Sequence, residues 1–136
     1  MKYLCLAYEE EHKLDALSRD EWDSLRKETL DYVEDLRRSG RLLVTHALQS
    51  VRSATTVRVR HARVLTTDGP FAETKETLGG FFLIEVRDLN EALQVAAKWP
   101  SARLGSIEVR PIEESLREES RYGGVAEAQI PGSRPR

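Results

Sequence analysis

A chain of 136 residues has room for one domain and buries about two-thirds of the surface its unfolded form exposes. Its 21 basic and 23 acidic residues leave a formal net charge of −2, which argues against a dedicated nucleic-acid binder; 40% hydrophobic and 32% charged residues is the balance of a soluble globular protein. The single cysteine, Cys5, excludes an internal disulfide and a thiolate zinc cluster, no apolar run is long enough to span a bilayer, and Lys2 leads into a short apolar run that meets Glu9-Glu10-Glu11, unlike a signal peptide, so the expected location is the cytoplasm.

Tyr3 to Tyr8 is a short apolar and aromatic run and reads as a buried central strand. A polar connection carrying His12 follows, from Glu9 to Ala16. Ser18 with Glu21 three residues later is a capping-box start, with Leu17 and Trp22 at staple positions. Trp22, Leu25, Thr29, Tyr32, Val33 and Leu36 then recur at helical spacing as one core-facing stripe. Asp23 with Lys27 and Glu34 with Arg38 are spaced to pair on the wet side, and Gly40 is the expected terminator. Leu42 to Leu48 reads as a strand with Leu42, Val44, His46 and Leu48 on one face.

Thr55 to Arg60 and Arg63 to Thr67 read as a hairpin turning at His61-Ala62, with Val57 and Val59 alternating with Arg58 and Arg60. Phe81 to Val86 is a second strongly apolar strand. Asp88 caps a second helix with Leu89, Ala92, Leu93 and Ala96 inward, Trp99-Pro100 ends it, and Ile107 to Ile112 is the last strand. Strand, helix, strand, inserted hairpin, strand, helix, strand predicts a ferredoxin-like α+β fold: an antiparallel sheet with both helices on one face. The opposite face keeps apolar side chains that need a cover, which a second copy packing sheet on sheet would supply. Residues 1–113 are the expected domain, and 114–136 a polar extension, with Ser115 to Arg121 able to form a short helix before a flexible tail.

The densest group of reactive side chains is Asp68-Gly69-Pro70-Phe71-Ala72-Glu73-Thr74-Lys75-Glu76, followed by Leu78-Gly79-Gly80-Phe81-Phe82. Asp68 reads either as an Asx-type turn former or as a general base or ligand-orienting carboxylate. Glu73, Lys75 and Glu76 read either as a solvated mixed-charge group or as the rim of a pocket. His46, on an apolar strand face, is either a hydrogen-bonded interface residue or an acid–base group inside a barrel. Arg110 alternates with apolar residues, and if buried it needs an anionic partner. Three scattered histidines and one cysteine do not make a metal site, and Gly79-Gly80 lacks the spacing of a phosphate loop.

Thr67 to Glu76 together with Leu78 to Phe82 resembles the DGPF-motif branch of the YCII-related proteins. That resemblance implies a dimeric α+β barrel; no cofactor is expected, and the balanced charge and the lack of a spanning apolar run lead to no expected nucleic-acid or membrane partner. It also implies a small anionic or aromatic molecule bound or converted between the sheet and the motif loop. Asp68, Glu73 and His46 would be the catalytic candidates, and Lys75, Arg110 and Phe71 the ligand contacts. The alternative it implies is a non-catalytic accessory protein of a sigma-factor-linked stress response, using the same pocket without turnover. The wider family often carries a helix histidine eleven residues before the terminating glycine, proposed to act with an aspartate. Counting back from Gly40 gives Thr29, which cannot be a proton-transferring base in that way.

Overall fold

The local signals form where they are written. In the computed structural model, which describes residues 1–114, Ser18 and Glu21 make the reciprocal capping box (Glu21 N–H to Ser18 Oγ, 3.1 Å; Ser18 N–H to Glu21 Oε1, 2.8 Å). They open helix α2, Arg19–Arg38. It closes at Gly40, whose φ of +77° places it in the left-handed region that glycine enters without a Cβ penalty. There the amides of Gly40 and Arg41 turn back to the carbonyls of Arg37 and Leu36, a Schellman end.

The strands are β1 (Lys2–Glu9), β2 (Leu42–Ala47), β3 (Thr55–Arg60), β4 (Arg63–Asp68), β5 (Thr77–Glu85) and β6 (Gly105–Pro111). The remaining helices are α1 (Glu11–Asp15), which occupies part of the connection expected to be polar coil, and α3 (Leu89–Ala97). Strands β2-β5-β1-β6 form one antiparallel sheet in that order, and β3-β4 form a separate hairpin. This is the ferredoxin-like α+β arrangement predicted from the element order. The hairpin turn is made by His61 and Ala62 at φ 52° and 62°, the left-handed pair that matches the twist of a two-residue connection.

One sheet face carries the core. Tyr3, Cys5, Phe82 and Ile84 meet Val33 and Leu36 from α2 and Ala92 and Val95 from α3, with Leu42, Val86 and Trp99 closing the cluster. Phe82 stacks on Trp99 at 3.9 Å between ring centroids, nearly parallel. Burial pushes the Cys5 thiol up to about 12, so it is an inert core residue.

Four expectations change. The strand from Leu42 does not keep one face: a bulge between Leu42 and Val44 pairs Leu42 with Ile84 on the core side but Val44 with Leu83 and His46 with Phe81 on the other. On α2 the pairs are Arg19–Asp23 and Lys27–Asp31, with Glu34–Arg38 as expected. On α3 the buried residues are Ala92, Val95 and Ala96, while Leu89 and Leu93 are about half exposed. Gly79-Gly80 lies inside β5 and not in the loop before it. The readings placed on Ser115 to Arg136 lie outside the described residues.

Candidate functional site

The N-terminal half of the α2 stripe does not seal onto the sheet. Trp22, Leu25, Thr29 and Leu30 stand off it and, with Ala7, Thr45, Phe82 and Trp99, line a mostly apolar cavity of about 410 Å³ that is open to solvent on one side. At its end lies Glu9, the last residue of β1, half-buried in the cavity wall. Burial first, and then the charge of the neighbouring Glu11, pushes the Glu9 carboxyl above its ordinary range. Room for that carboxylate comes from Gly79. A Cβ at position 79 would fall 2.0 Å from Glu9 Oε1, so any larger residue there drives the acid out of its seat.

Thr29, at the position where the resemblance expects a histidine, does face the cavity. Its hydroxyl donates to the Leu25 carbonyl at 2.8 Å, a back-bond within the helix; among the described residues the only carboxyl in the cavity lining is that of Glu9. The run Glu9-Glu10-Glu11, read from sequence as a mere boundary, divides into three roles. Glu10 is buried at 5% side-chain exposure and has three nitrogen-bearing side chains around it: His12 Nε2 at 3.2 Å, Lys13 Nζ at 3.6 Å and Lys75 Nζ at 3.6 Å. Glu11 accepts from Ser50 Oγ (2.7 Å) and the Val51 amide (2.9 Å), which hold its carboxyl below the usual range, with Arg52 adding to the effect. Glu10 and Glu11 thereby tie the two ends of the hairpin insertion to the end of β1.

The residues singled out in the sequence occupy separate places. Asp68 ends β4, exposed, and shares a cleft of about 610 Å³ with Arg58, Phe71 and Glu73. The expected Asx turn onto the residue two further on cannot form, because Pro70 has no N–H to donate. Phe71 is 80% exposed with the Arg58 guanidinium 5.7 Å from its ring centre, and Glu73 is exposed. Lys75 reaches Glu10, as above. By register His46 lies on the sheet face away from the helices, tilted against Phe81 at 5.9 Å, yet at this edge strand it is also among the residues that line the α2–sheet cavity. Arg110 lies on that face too, but on the opposite edge strand; it is exposed and paired with Glu108 of its own strand, so the buried arginine awaiting an anion is not what β6 presents. The structure therefore brings Asp68, Phe71 and Glu73 together, links Lys75 to Glu10, and leaves His46 and Arg110 apart from them. The signals for the cavity that sequence reading passed over were the alternation that turns Glu9 inward and the glycine over which its side chain lies. Among the described residues no group of three metal-ligating side chains converges, and no helix is long and apolar enough to cross a membrane.

A four-stranded antiparallel sheet with two main helices on one face, an inserted hairpin and a cavity between helix and sheet defines the class as a ferredoxin-like α+β protein. Residues 1–115 match the YCII-related domain, and the chain belongs to that family. It is similar to the uncharacterized protein R00369 of Rhizobium meliloti (strain 1021), with 35% identity over 114 residues covering 82% of this chain and 92% of that protein.

Proposed function

We propose that this YCII-domain protein binds a small molecule in the cavity between α2 and the sheet, with Glu9 as the group that gives or takes a proton there. The observation that carries the reading is the seat of Glu9: a carboxyl displaced upward by burial, at the end of a mostly apolar cavity, is an environment that tunes acids for proton transfer. The test is a thermal-shift and binding screen of the purified chain against small aromatic and anionic compounds, repeated with Glu9→Gln. A ligand that stabilises both proteins but is turned over only by the parent supports proton transfer. A ligand bound equally by both and turned over by neither supports the non-catalytic, regulatory alternative. Stabilisation lost when the cavity wall is altered at Thr29→Trp locates the binding; stabilisation untouched by that change refutes the cavity.

A second reading keeps the motif loop as the site, with Asp68 and Glu73 orienting a ligand and Lys75 and Phe71 contacting it. The cleft that Asp68, Phe71 and Glu73 share favours it. Asp68→Asn removes the charge and keeps the shape; unchanged ligand binding by that variant counts against this site.

The open sheet face supports a homodimer of the barrel type. Leu4, Leu6, Val44, Phe81 and Leu83 lie on it, only partly buried. Four strands by seven residues is a patch of roughly 19 by 23 Å, about half of the ~800 Å² that each partner of a stable complex buries. The hairpin supplies more, since Val57, Val59 and Val64 share one face and are each about 60% exposed or more. An isolated two-stranded hairpin is marginal in water, so a second copy would support it as well. His46 would then sit inside the interface. Sedimentation at micromolar concentration gives a dimer if this is right and a monomer if it is not.

A further inference from the structure

We infer that the occupant of the α2–sheet cavity is an organic anion with an apolar body, its charged end held by Arg26 or Arg37. The inference rests on the proposed binding in that cavity and adds what the ligand must carry. Helix α2 has five basic residues: Arg19, Arg26, Lys27, Arg37 and Arg38. Three of them have carboxylate partners on the same helix, Arg19 with Asp23, Lys27 with Asp31 and Arg38 with Glu34 and Asp35. The two that line the cavity, Arg26 and Arg37, have no acidic partner among the described residues. Glu9, the only carboxylate in the cavity lining among the described residues, forms no ion pair with either.

The spacing shapes the ligand. Positions 22, 26, 29, 30, 33 and 37 follow the helical repeat, so the two guanidiniums stand on one stripe about 16 Å apart along the axis, with Thr29, Leu30 and Val33 between them. An apolar body laid along Leu30 and Val33, against Thr45 and Phe82, therefore meets a cation at either end of the stripe. Guanidinium recognises carboxylate and other oxyanions through paired N–H donors, and both groups are free to turn toward a guest.

The two tryptophans of the chain, Trp22 and Trp99, both line this cavity, so intrinsic fluorescence reports its occupancy. The full chain is titrated with decanoate and with 1-decanol, which has the same apolar body without the charge, and the titrations are repeated on the Arg26→Gln, Arg37→Gln double variant. The expected result is that decanoate binds more tightly than decanol and that the double variant weakens decanoate by about tenfold or more while leaving decanol unchanged. Decanoate and decanol binding alike overturns the anion inference and leaves the cavity reading standing. So does a decanoate affinity that the double variant does not alter, since the anion is then held elsewhere. A loss of both probes in parallel in the double variant is a structural effect and also overturns it. No change in tryptophan emission with either probe refutes the cavity reading itself and this inference with it. Repeating 3-phenylpropionate against 3-phenylpropanol keeps the test independent of chain length.

Discussion

The cavity under α2 and the motif loop beyond β4 are built in opposite ways. The loop concentrates charge in sequence, yet Asp68, Phe71, Glu73 and Lys75 are all exposed, where ion pairs are screened and contribute little. The cavity, though open to solvent on one side, draws single residues from distant elements, Glu9 from β1, Thr29 from α2, Phe82 from β5 and Trp99 from beyond α3, and sets them among mostly apolar side chains. A conspicuous local motif therefore need not be the place where the environment changes a side chain's chemistry. Here the carboxyl raised by burial is Glu9, marked in the sequence only by the alternation of β1 that turns it inward.

The largest expected effect separates two phenylalanines. Phe82 is fully buried, stacked on Trp99, and forms part of the cavity wall. Phe82→Ala leaves a void beneath Trp99 and is expected to cost about 3–5 kcal/mol of unfolding free energy. Phe71→Ala removes an exposed ring and its contact with Arg58, and is expected to cost no more than about 1 kcal/mol. Urea denaturation of the two variants checks the pair. Equal losses would mean that the motif loop is packed as firmly as the core, and the contrast would fail.

The fold was legible because its signals are local. The capping box at Ser18, the terminator Gly40, the hairpin with its tight turn and the apolar strands around Cys5 and Phe82 each follow from a few neighbouring residues. What could not be read depends on contacts distant in sequence. The bulge after Leu42 leaves the apolar alternation of the strand intact while exchanging its faces, so His46 was assigned to the side of Leu42. The Glu9-Glu10-Glu11 run looks uniform, and only the Glu9 side chain lying over Gly79 at the irregularity in the β1–β5 register, and Lys75 and Val51 arriving from the insertion, give each acid its own surroundings. Of the site, the motif loop was visible and Thr29 was located through the family resemblance. Neither Arg26 nor Arg37 was read as a ligand contact, because a free guanidinium differs from a paired one only once the gap between helix and sheet is known.

Two neighbouring carboxylates give a comparison of intermediate size, with opposite signs in pH. The Glu9 carboxyl is raised in the folded state, so the folded protein binds its proton more tightly than the unfolded chain does. Stability from this group is present at low pH and is lost as pH rises from the ordinary carboxylate range through the raised value. Glu9→Gln removes that loss, so its stability relative to the parent should grow with pH across this window and then level off. The Glu11 carboxyl is lowered by the Val51 amide and the Ser50 hydroxyl, so its contribution is present above the ordinary carboxylate range and is lost as pH falls through the lowered value. Glu11→Gln should therefore cost about 1 kcal/mol near neutrality, with the cost fading in acid. Thermal unfolding at several pH values reads both. A Glu9→Gln curve parallel to the parent at every pH would remove the physical ground for proton transfer in the cavity.

The smallest expected effect tests whether the two regions are joined. Lys75 leaves the exposed motif loop to reach buried Glu10, next in sequence to Glu9, at 3.6 Å. Lys13 stands at the same distance from the same carboxylate oxygen, and His12 contacts the other. Lys75→Met therefore does not strand a buried charge, and global stability should change by no more than about 1 kcal/mol. The loop, however, loses the ion pair that ties its C-terminal half to β1, so backbone amides from 71 to 76 should exchange with solvent faster while those of β1 and β5 keep their protection. Amide exchange followed by mass spectrometry separates these segments. Faster exchange confined to the loop makes Glu10 the anchor that holds the motif beside the cavity. Unchanged exchange would show that the loop is held by its other contacts, such as Glu76 to Ser106 at 2.8 Å, and that motif and cavity are independent structures.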